Sequence, residues 1–344
     1  MSDTTQAPPS YDAAEEFLSV RTPAQRVQST LHRYPWLSPA VVLVGSVIVF
    51  GFLNDNFATP NNLSLITQQV AVVGSLAIGQ TLIILTAGID LSCGAIMVFS
   101  SMVMAKTAFD AGIPGWLAIL LGLVVGAAAG LANGLLVTRV RLPPFIVTLG
   151  TLNIFVALTL LYATGRTIRD AELAKGLGWL GETFTIGEVR VTTGVVVMIA
   201  MYGFFAFVLR YTAWGRHVYA VGDDAESARL AGIQVQKVLL SVYVVAGIIF
   251  AITGWILIGR VGAASPNSGI DANLDSITAV VIGGTSLFGG RGTVIGSLIG
   301  ALIVGVFRNG LTLAGLQPYY QTRAVGILII LAVSVDQWIR RARA

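Results

Sequence analysis

Charged residues are scarce in this sequence. Asp, Glu, Lys and Arg make up 11% of its 344 residues, and hydrophobic residues make up 55%. Soluble domains carry about 25% charged residues, so the composition excludes an ordinary soluble protein and predicts a polytopic membrane protein. The net charge of +4 needs no nucleic-acid partner, because basic residues gather in the cytoplasmic loops of membrane proteins.

The residue types that build metal, redox and ATP sites are also nearly missing. Cys93 is the only cysteine, which excludes an intramolecular disulfide, and His32 and His217 are far apart. No lysine follows a glycine, so the phosphate-binding sequence GxxxxGK is absent. The hydrolase patterns HExxH and GxSxG are absent as well. We therefore expect no catalytic residue, no metal site and no cofactor on this chain, and the sequence disfavours an enzyme.

Long apolar runs dominate the rest of the chain. Ten of them approach the roughly 20 residues that a helix needs to cross a bilayer, which predicts an all-α polytopic fold of about ten transmembrane helices. The eighth run is short and contains Gly283 and Gly284, so it is a candidate for a re-entrant or broken helix. The predicted spans are Trp36–Leu53, Leu63–Thr86, Ser92–Ala108, Ile113–Val137, Phe145–Ala163, Val191–Leu209, Leu239–Ile258, Ile277–Phe288, Val294–Leu313 and Thr322–Trp338.

Basic residues set the orientation of such spans. If the polar N-terminal tail is cytoplasmic, most basic loops fall on the same side, including Tyr211–Val238 and the C-terminus with Arg340, Arg341 and Arg343. We therefore predict that both termini are cytoplasmic. The outer loop Gly165–Arg190 carries balanced charges and is a candidate for a folded extracytoplasmic cap. The predicted domains are a cytoplasmic tail over residues 1–35, a transmembrane domain over residues 36–338 and a basic cytoplasmic C-terminus over residues 339–344.

Glycine recurs at every fourth position of the fourth predicted span. Gly122, Gly126, Gly130 and Gly134 share one face of a helix. Small residues let helix backbones approach closely in membranes, so this stripe predicts tight packing against a neighbouring span rather than a functional role.

The loop Tyr211–Val238 is a polar stretch between two long apolar runs. Asp223 or Asp224 can cap a helix there and Gly232 can end it, which predicts a two-turn helix over Asp223–Ala231 on the inner face. A helix this short is unstable alone. It is therefore either a solvated helix that rests on its flanking spans or a docking element for a cytoplasmic protein.

Neutral polar residues inside the spans are the candidates for a solute pathway, because polar groups are costly in lipid and usually face a cavity or another helix. Gln80, Asn133 and Asn153 are the path candidates. Asp90 lies at the edge of the third span, where it can cap the helix or act as a structural pivot of the path. Buried carboxylates, which a proton- or sodium-driven carrier needs, are nearly absent. This pattern favours an uncharged polyhydroxylated solute and an energy source outside the chain.

Four stretches carry the most specific pattern in the sequence. They are GQTLIILTAGIDLSCGAIMV (Gly79–Val98), GLANGLLVTRVRLPPFIVTLGT (Gly130–Thr151), GRHVYAVGDDAESARLAGI (Gly215–Ile233) and ITAVVIGGTSLFGGRGTVIGSLIGALIVGV (Ile277–Val306). Together they resemble, in order, the membrane permease subunits of ribose-type monosaccharide ABC importers, and the fructose permeases look nearest. The resemblance covers the chain from near its first apolar run to its last, and it implies a type II ABC importer permease.

The resemblance implies partners as well as a fold. It implies a homodimer in the bacterial inner membrane, bound to two cytoplasmic ATPase subunits that hold ATP and magnesium, and fed by a periplasmic sugar-binding protein. The helix at Asp223–Ala231 would be the coupling helix that docks on the ATPase. Family members more often have Gly-Asn where this chain has Gly222-Asp223-Asp224, and a small aliphatic residue where it has Cys93. The implied ATPase-coupling residues are Gly222, Asp223, Asp224, Glu226, Ala228, Arg229, Leu230, Gly232 and Ile233.

Two alternatives remain open. A permease for branched-chain amino acids shares the general architecture, although a zwitterionic substrate favours charged or helix-end recognition. A stand-alone secondary carrier or channel would transport without an ATPase, and the shortage of buried carboxylates argues against it. The sequence does not identify the monosaccharide, because specificity in such importers resides mainly in the separate binding protein.

Overall fold

The computed structural model describes residues 37–169, 173, 176–269, 271–317, 319–324, 326–327 and 330. The predicted N-terminal tail and basic C-terminus lie outside these residues, and so does most of the predicted span Thr322–Trp338. Residues 319–324 are helical.

Helices make up most of the described chain, as the predicted all-α class requires. Seven of the described helices are long and apolar enough to cross a membrane. The described residues also contain two shorter apolar helices, α1 (Leu37–Leu53) and α10 (Ala272–Ile282). The seven are α2 (Pro60–Leu85), α3 (Cys93–Ala111), α4 (Gly115–Thr138), α5 (Pro144–Ala163), α6 (Thr193–Tyr211), α9 (Val235–Val261) and α11 (Val294–Leu313).

The eighth predicted span is a short helix. It was predicted over Ile277–Phe288, whereas α10 ends at Ile282 and is followed by Gly283 and Gly284. Gly284 adopts a left-handed backbone with φ of +86°, which favours glycine. The expected break is therefore present, and the chain continues to α11 through a loop instead of a helix.

Two small antiparallel sheets, which the all-α prediction missed, connect the loop after α5 with the segment after α9 and form a hairpin before α6. β1 (Ile168–Arg169) pairs with β4 (Ala263–Ala264), and β2 (Thr183–Ile186) forms a hairpin with β3 (Val189–Thr192). Gly187 turns the hairpin with φ of +63°. The alternation TFTIGEVRVT is the hairpin signal that the sequence carried, so this part of the loop is folded as expected.

Helix α2 lies at the centre of the molecule. Of its most apolar 18-residue window, 83% is buried, against 28% for α5 and 33% for α4 and α6. Thr59 caps α2 by accepting a hydrogen bond from the backbone N–H of Asn62, and Pro60 fills the first helical position, where its missing N–H has no cost. The peripheral helices keep broad apolar faces for lipid, and α2 is the element around which they are arranged.

The two middle glycines of the α4 stripe, Gly126 and Gly130, pack against the backbone of α9. A Cβ at Gly126 would lie 2.5 Å from the carbonyl oxygen of Gly247, and a Cβ at Gly130 would lie 2.2 Å from that of Tyr243. Such distances leave no room for a side chain. The predicted packing role of the stripe is confirmed, because any methyl group here would force the two helices apart.

We expect Gly130→Ala to lower the stability of the folded protein by about 1–3 kcal/mol, the usual cost of overpacking a core. Gly45→Ala in α1 is the matched control, since a Cβ at Gly45 meets nothing within 4 Å. Thermal unfolding of the detergent-purified variants measures the difference. Equal midpoints for the two variants would contradict the close contact between α4 and α9.

Candidate functional site

The segment between α2 and α3 turns back into the helical body. Residues 86–92 are not helical, and Ala87 has φ of +60°. The Gln80 side chain donates from Nε2 to the carbonyl oxygen of Asp90 at 2.5 Å. Gln80 lies five residues before Leu85, the end of α2, which is roughly 8 Å along the helix axis. Helix α3 therefore begins beside α2 inside the protein, well away from the end of α2.

Asp90 organises the start of α3 through Ser92. Its Oδ1 accepts hydrogen bonds from the backbone N–H and from the hydroxyl of Ser92, both at 2.6 Å. Asn133 on α4 donates from Nδ2 to the Ser92 hydroxyl oxygen at 2.9 Å. Ser92, two residues later, occupies the cap position that was expected of Asp90. Asp90 instead closes an Asx-type turn, and the turn joins α2, α3 and α4.

Helix α10 joins the same network through Asn273, which the sequence reasoning missed. Asn273 Oδ1 accepts from the backbone N–H of Gly94 at 2.6 Å, and the Cys93 thiol lies 3.4 Å from the same oxygen. Asn273 precedes the predicted eighth span, so nothing in the hydropathy pattern placed it within the membrane body. A backbone N–H in the first turn of α3 is thereby satisfied by a side chain from a distant helix.

Three of the four predicted path residues meet in this buried network, and the fourth does not. Gln80, Asp90 and Asn133 are each at most 1% exposed. Asn153 lies on the exposed side of α5, where its Nδ2 donates to the carbonyl oxygen of Leu149 at 3.0 Å. Helix α5, which carries Asn153, still contacts the segment that contains Asp90, because Thr148 on α5 donates to the carbonyl oxygen of Ile89 at 3.0 Å.

Two cavities lie at different levels of α2. The first, of 340 Å³, is bordered by Thr86 at the end of α2 and by Arg141 and Tyr243. The second, of 210 Å³, lies beside Gln69 nearer the start of α2 and contains an ion pair between Arg308 and Asp275. The bordering residues also include Gly88, Val137, Leu142, Pro143, Pro144 and Leu239 in the first cavity, and Val73, Arg260, Val304, Gly305, Thr312 and Gln321 in the second. Along α2, Gln80 lies between Gln69, which borders the second cavity, and Thr86, which borders the first.

The polar loop after α6 contains two helices instead of one. Helix α7 covers Ala213–Asp223 and helix α8 covers Ala225–Leu230. The predicted helix Asp223–Ala231 is therefore wrong at its start, because Asp223 ends α7. Asp224 stands between the helices in an extended conformation and accepts the backbone N–H groups of Glu226 and Ser227, each at 2.9 Å. Asp224 is thus the helix cap, and the structure decides between the two adjacent acids.

The end of α8 follows the prediction. Gly232 has φ of +87°, and its backbone N–H bonds to the carbonyl oxygen of Arg229, while that of Ile233 bonds to the carbonyl oxygen of Ala228. A glycine in the left-handed region just after a helix is the usual terminator.

Helix α8 presents charge and one apolar side chain to solvent. Glu226 and Arg229 form an ion pair and are both exposed, and Leu230 is 76% exposed. The backbone N–H of Ser227 holds the pKa of Asp224 below its usual range, and Arg229 lowers the pKa of Glu226. Both carboxylates are therefore ionised at neutral pH. Ala228 is the only buried residue of α8, so the helix is attached lightly and displays most of its surface.

Comparison with known proteins places this arrangement in a family. A family of permease components of branched-chain amino acid transport systems matches residues 62–333. A fructose import permease protein of Rhizobium meliloti is 49% identical over 100% of this chain and 95% of its own length. The chain belongs to this permease family.

Other relatives of the permease bear the names of other sugars. A ribose import permease protein of Bacillus subtilis is 40% identical over 88% of this chain and 92% of its own length. A D-allose transport system permease protein of Escherichia coli is 37% identical over 87% of this chain and 91% of its own length. No solved structure matches the permease. With seven long apolar helices among its described residues, the permease is a multi-pass protein of the inner membrane.

We expect Asp90→Ala to destabilise the permease by about 1–3 kcal/mol, because it leaves buried donors of Ser92 without their acceptor. Asp90→Asn retains a carbonyl oxygen at this position and should lose less. Thermal unfolding in detergent measures both variants, with the exposed Asp55→Ala as the control. If Asp90→Ala unfolded at the same temperature as Asp55→Ala, the turn would not depend on the carboxylate.

Proposed function

We propose that this permease is the membrane-spanning subunit of an ABC importer that carries a monosaccharide of the fructose and ribose class. The observation that carries the proposal is the 49% identity to a fructose import permease over the whole chain. Ribose and allose permeases at 40% and 37% identity support sugar over the amino-acid alternative. The amides and hydroxyls of the buried network also suit a neutral polyol better than an ion.

ATP hydrolysis is proposed to reside on a separate cytoplasmic ATPase, which binds ATP and magnesium and docks on α8. Support comes from the exposure of α8, whose ion pair and Leu230 are available to a partner. The proposed coupling set also includes the segments that hold α8 in place at both ends. It consists of Gly222, Asp223, Asp224, Glu226, Ala228, Arg229, Leu230, Gly232 and Ile233.

Gln80, Asp90 and Asn133 are proposed to border the solute pathway, with Asp90 as its structural pivot. Support comes from their meeting in one buried network, in which Gln80 lies along α2 between Gln69 and Thr86 of the two cavities. In addition, Gln80 Oε1 and Asn133 Oδ1 accept no hydrogen bond from a described residue. A buried acceptor without a donor costs about 1–3 kcal/mol. A movement that brought a sugar hydroxyl to either atom would recover that free energy.

A second copy of the chain is the proposed partner of α5, and Asn153 is the fourth proposed path residue. Asn153 is exposed on a helix whose other exposed side chains are apolar, among them Ile146 and Ile154. An amide that faces lipid is costly. A homodimer that covers this face, or a polar path along it, would remove that cost.

The proposed topology has ten spans with both termini cytoplasmic, so that α7 and α8 face the ATPase. The strands between α5 and α6 and the segment after α9 would then face the periplasm, where a sugar-binding protein delivers the solute. A site with equal affinity in both conformations shifts no equilibrium. Direction must therefore come from ATP and the binding protein, which would each favour one conformation of the permease.

The proposal is tested by reconstitution of the permease in liposomes with its cognate ATPase and binding protein. We expect uptake of fructose, ribose or allose that requires ATP and all three components and stops with vanadate. Sugar uptake by the permease alone down a gradient would assign it to the carrier or channel class. ATP-dependent uptake of leucine instead of sugars would assign it to the amino-acid permeases.

Charge reversal on α8 separates docking from helix stability. We expect Glu226→Arg and Arg229→Glu each to lower ATP-driven uptake about tenfold with normal membrane insertion, because like charges meet at the docking surface. The double swap Glu226→Arg with Arg229→Glu restores the ion pair within α8 at reversed positions. Uptake should stay low in the swap if the charges contact the ATPase. Recovery of uptake in the swap would mean that the pair serves only to stabilise α8.

A further inference from the structure

Helix α7 contacts the membrane body through its backbone at Gly222. A Cβ at this position would lie 1.7 Å from the carbonyl oxygen of Leu85 and 2.7 Å from the backbone nitrogen of Gly290. Only glycine permits backbones to meet at such distances. The last turn of α7 is therefore wedged between the end of α2 and the loop that precedes α11.

The loop before α11 completes the contact from its own side. The backbone N–H of Gly290 donates to the carbonyl oxygen of Leu85 at 3.0 Å. A Cβ at Gly289 would lie 2.5 Å from the carbonyl oxygen of Gly222 and 2.8 Å from the nitrogen of Ala87. The three segments thus meet pairwise, and we call the set of Gly222, Gly289, Gly290 and Leu85 the glycine junction.

A side-chain hydrogen bond also connects α7 to the loop before α11. Tyr219, one turn before the end of α7, donates its hydroxyl to the carbonyl oxygen of Gly292 at 2.8 Å. The Tyr219 side chain is half-buried, and burial raises the pKa of its phenol, so it remains a donor across the physiological range. This bond fastens α7 to the loop at a second point and fixes the angle between them.

The junction lies directly between the buried network and the proposed docking helix. On one side, Leu85 is followed by residues 86–92, which contain Asp90. On the other side, Asp223 is followed by Asp224, the cap of α8. The third segment of the junction, the loop with Gly289 and Gly290, leads into α11, which begins at Val294. Helix α8 buries only Ala228, and it is joined to the membrane helices by α7 on one side and by residues 231–234, which lead into α9, on the other.

We propose that the glycine junction is a positioning element that passes movement of α8 to residues 86–92 and to α11. This inference rests on the proposed ATPase partner. Flexible side chains at the contact would absorb a displacement of a few tenths of an ångström, whereas backbones in direct contact must move together. Small shifts at an effector surface are transmitted in this way when the packed elements have discrete arrangements.

Two variants test the junction. Tyr219→Phe removes one hydrogen bond and keeps the ring, and Gly222→Ala forces a methyl group against Leu85. Tyr211→Phe, on an exposed tyrosine at the end of α6, is the matched control. The first measurement is hydrogen exchange of residues 86–92 in the full-length permease, with and without the ATPase and ATP.

We expect the ATPase with ATP to change exchange in residues 86–92 of the unaltered permease and of Tyr211→Phe. In Tyr219→Phe the basal exchange should be unchanged and the response to the ATPase reduced severalfold. An undiminished response in Tyr219→Phe, or no response in the unaltered permease, would overturn the proposal. If Gly222→Ala does not assemble, Tyr219→Phe alone decides.

The second measurement is the number of ATP molecules hydrolysed per sugar transported by the reconstituted importer. A positioning role predicts that Tyr219→Phe raises this ratio severalfold while binding-protein-stimulated hydrolysis persists. A merely structural role predicts that hydrolysis and uptake fall together at a constant ratio, which would overturn the proposal. Failure of the sugar assignment is distinguishable, because it abolishes uptake in the unaltered importer and leaves the exchange response of residues 86–92 in place.

Discussion

A non-helical segment packed inside a helical body leaves backbone N–H and C=O groups that need partners within the protein. The permease has such segments at residues 86–92 and between α10 and α11. In the first segment Gln80 satisfies the carbonyl of Asp90, and the Asp90 carboxylate satisfies the N–H of Ser92. Polar side chains of the helical body therefore supply the partners that the backbone of this segment needs.

Glycines also hold the helices together, because they let the helix backbones come into direct contact. A Cβ at Gly300 would lie 1.8 Å from the carbonyl oxygen of Ala279, and one at Gly283 would lie 2.3 Å from that of Gly296. Helices α10 and α11 are thus joined by backbone contact, much as α4 and α9 are. Since lipid offers no hydrophobic drive for helix association, close van der Waals contact supplies much of the attraction, and it also makes the joined pieces stiff.

The sequence predicted the helices well and the connections between them poorly. Nine apolar runs correspond to described helices, because apolar length alone reports a span. A contact between residues that are far apart in the sequence leaves no such signal. Asn273 bonds to Gly94, and Gly222 touches Leu85, across long stretches of sequence. The ion pair between the half-buried Arg308 and the buried Asp275, 2.7 Å apart, was missed for the same reason, since the two residues are 33 positions apart in the sequence.

Asp224 separates α7 from α8, whereas the sequence analysis predicted a single helix over Asp223–Ala231. Both neighbouring acids can cap a helix, so local chemistry did not choose between them. Packing distinguishes the two acids, because Gly290 lies against the backbone of Asp223, the last residue of α7. Helix α7 is then fixed to the membrane body by its backbone, while α8 is left exposed beyond an extended residue with φ of −155°. An exposed helix thus stands next to a helix that is fixed to the membrane body, which is the arrangement that the proposed docking of an ATPase would use.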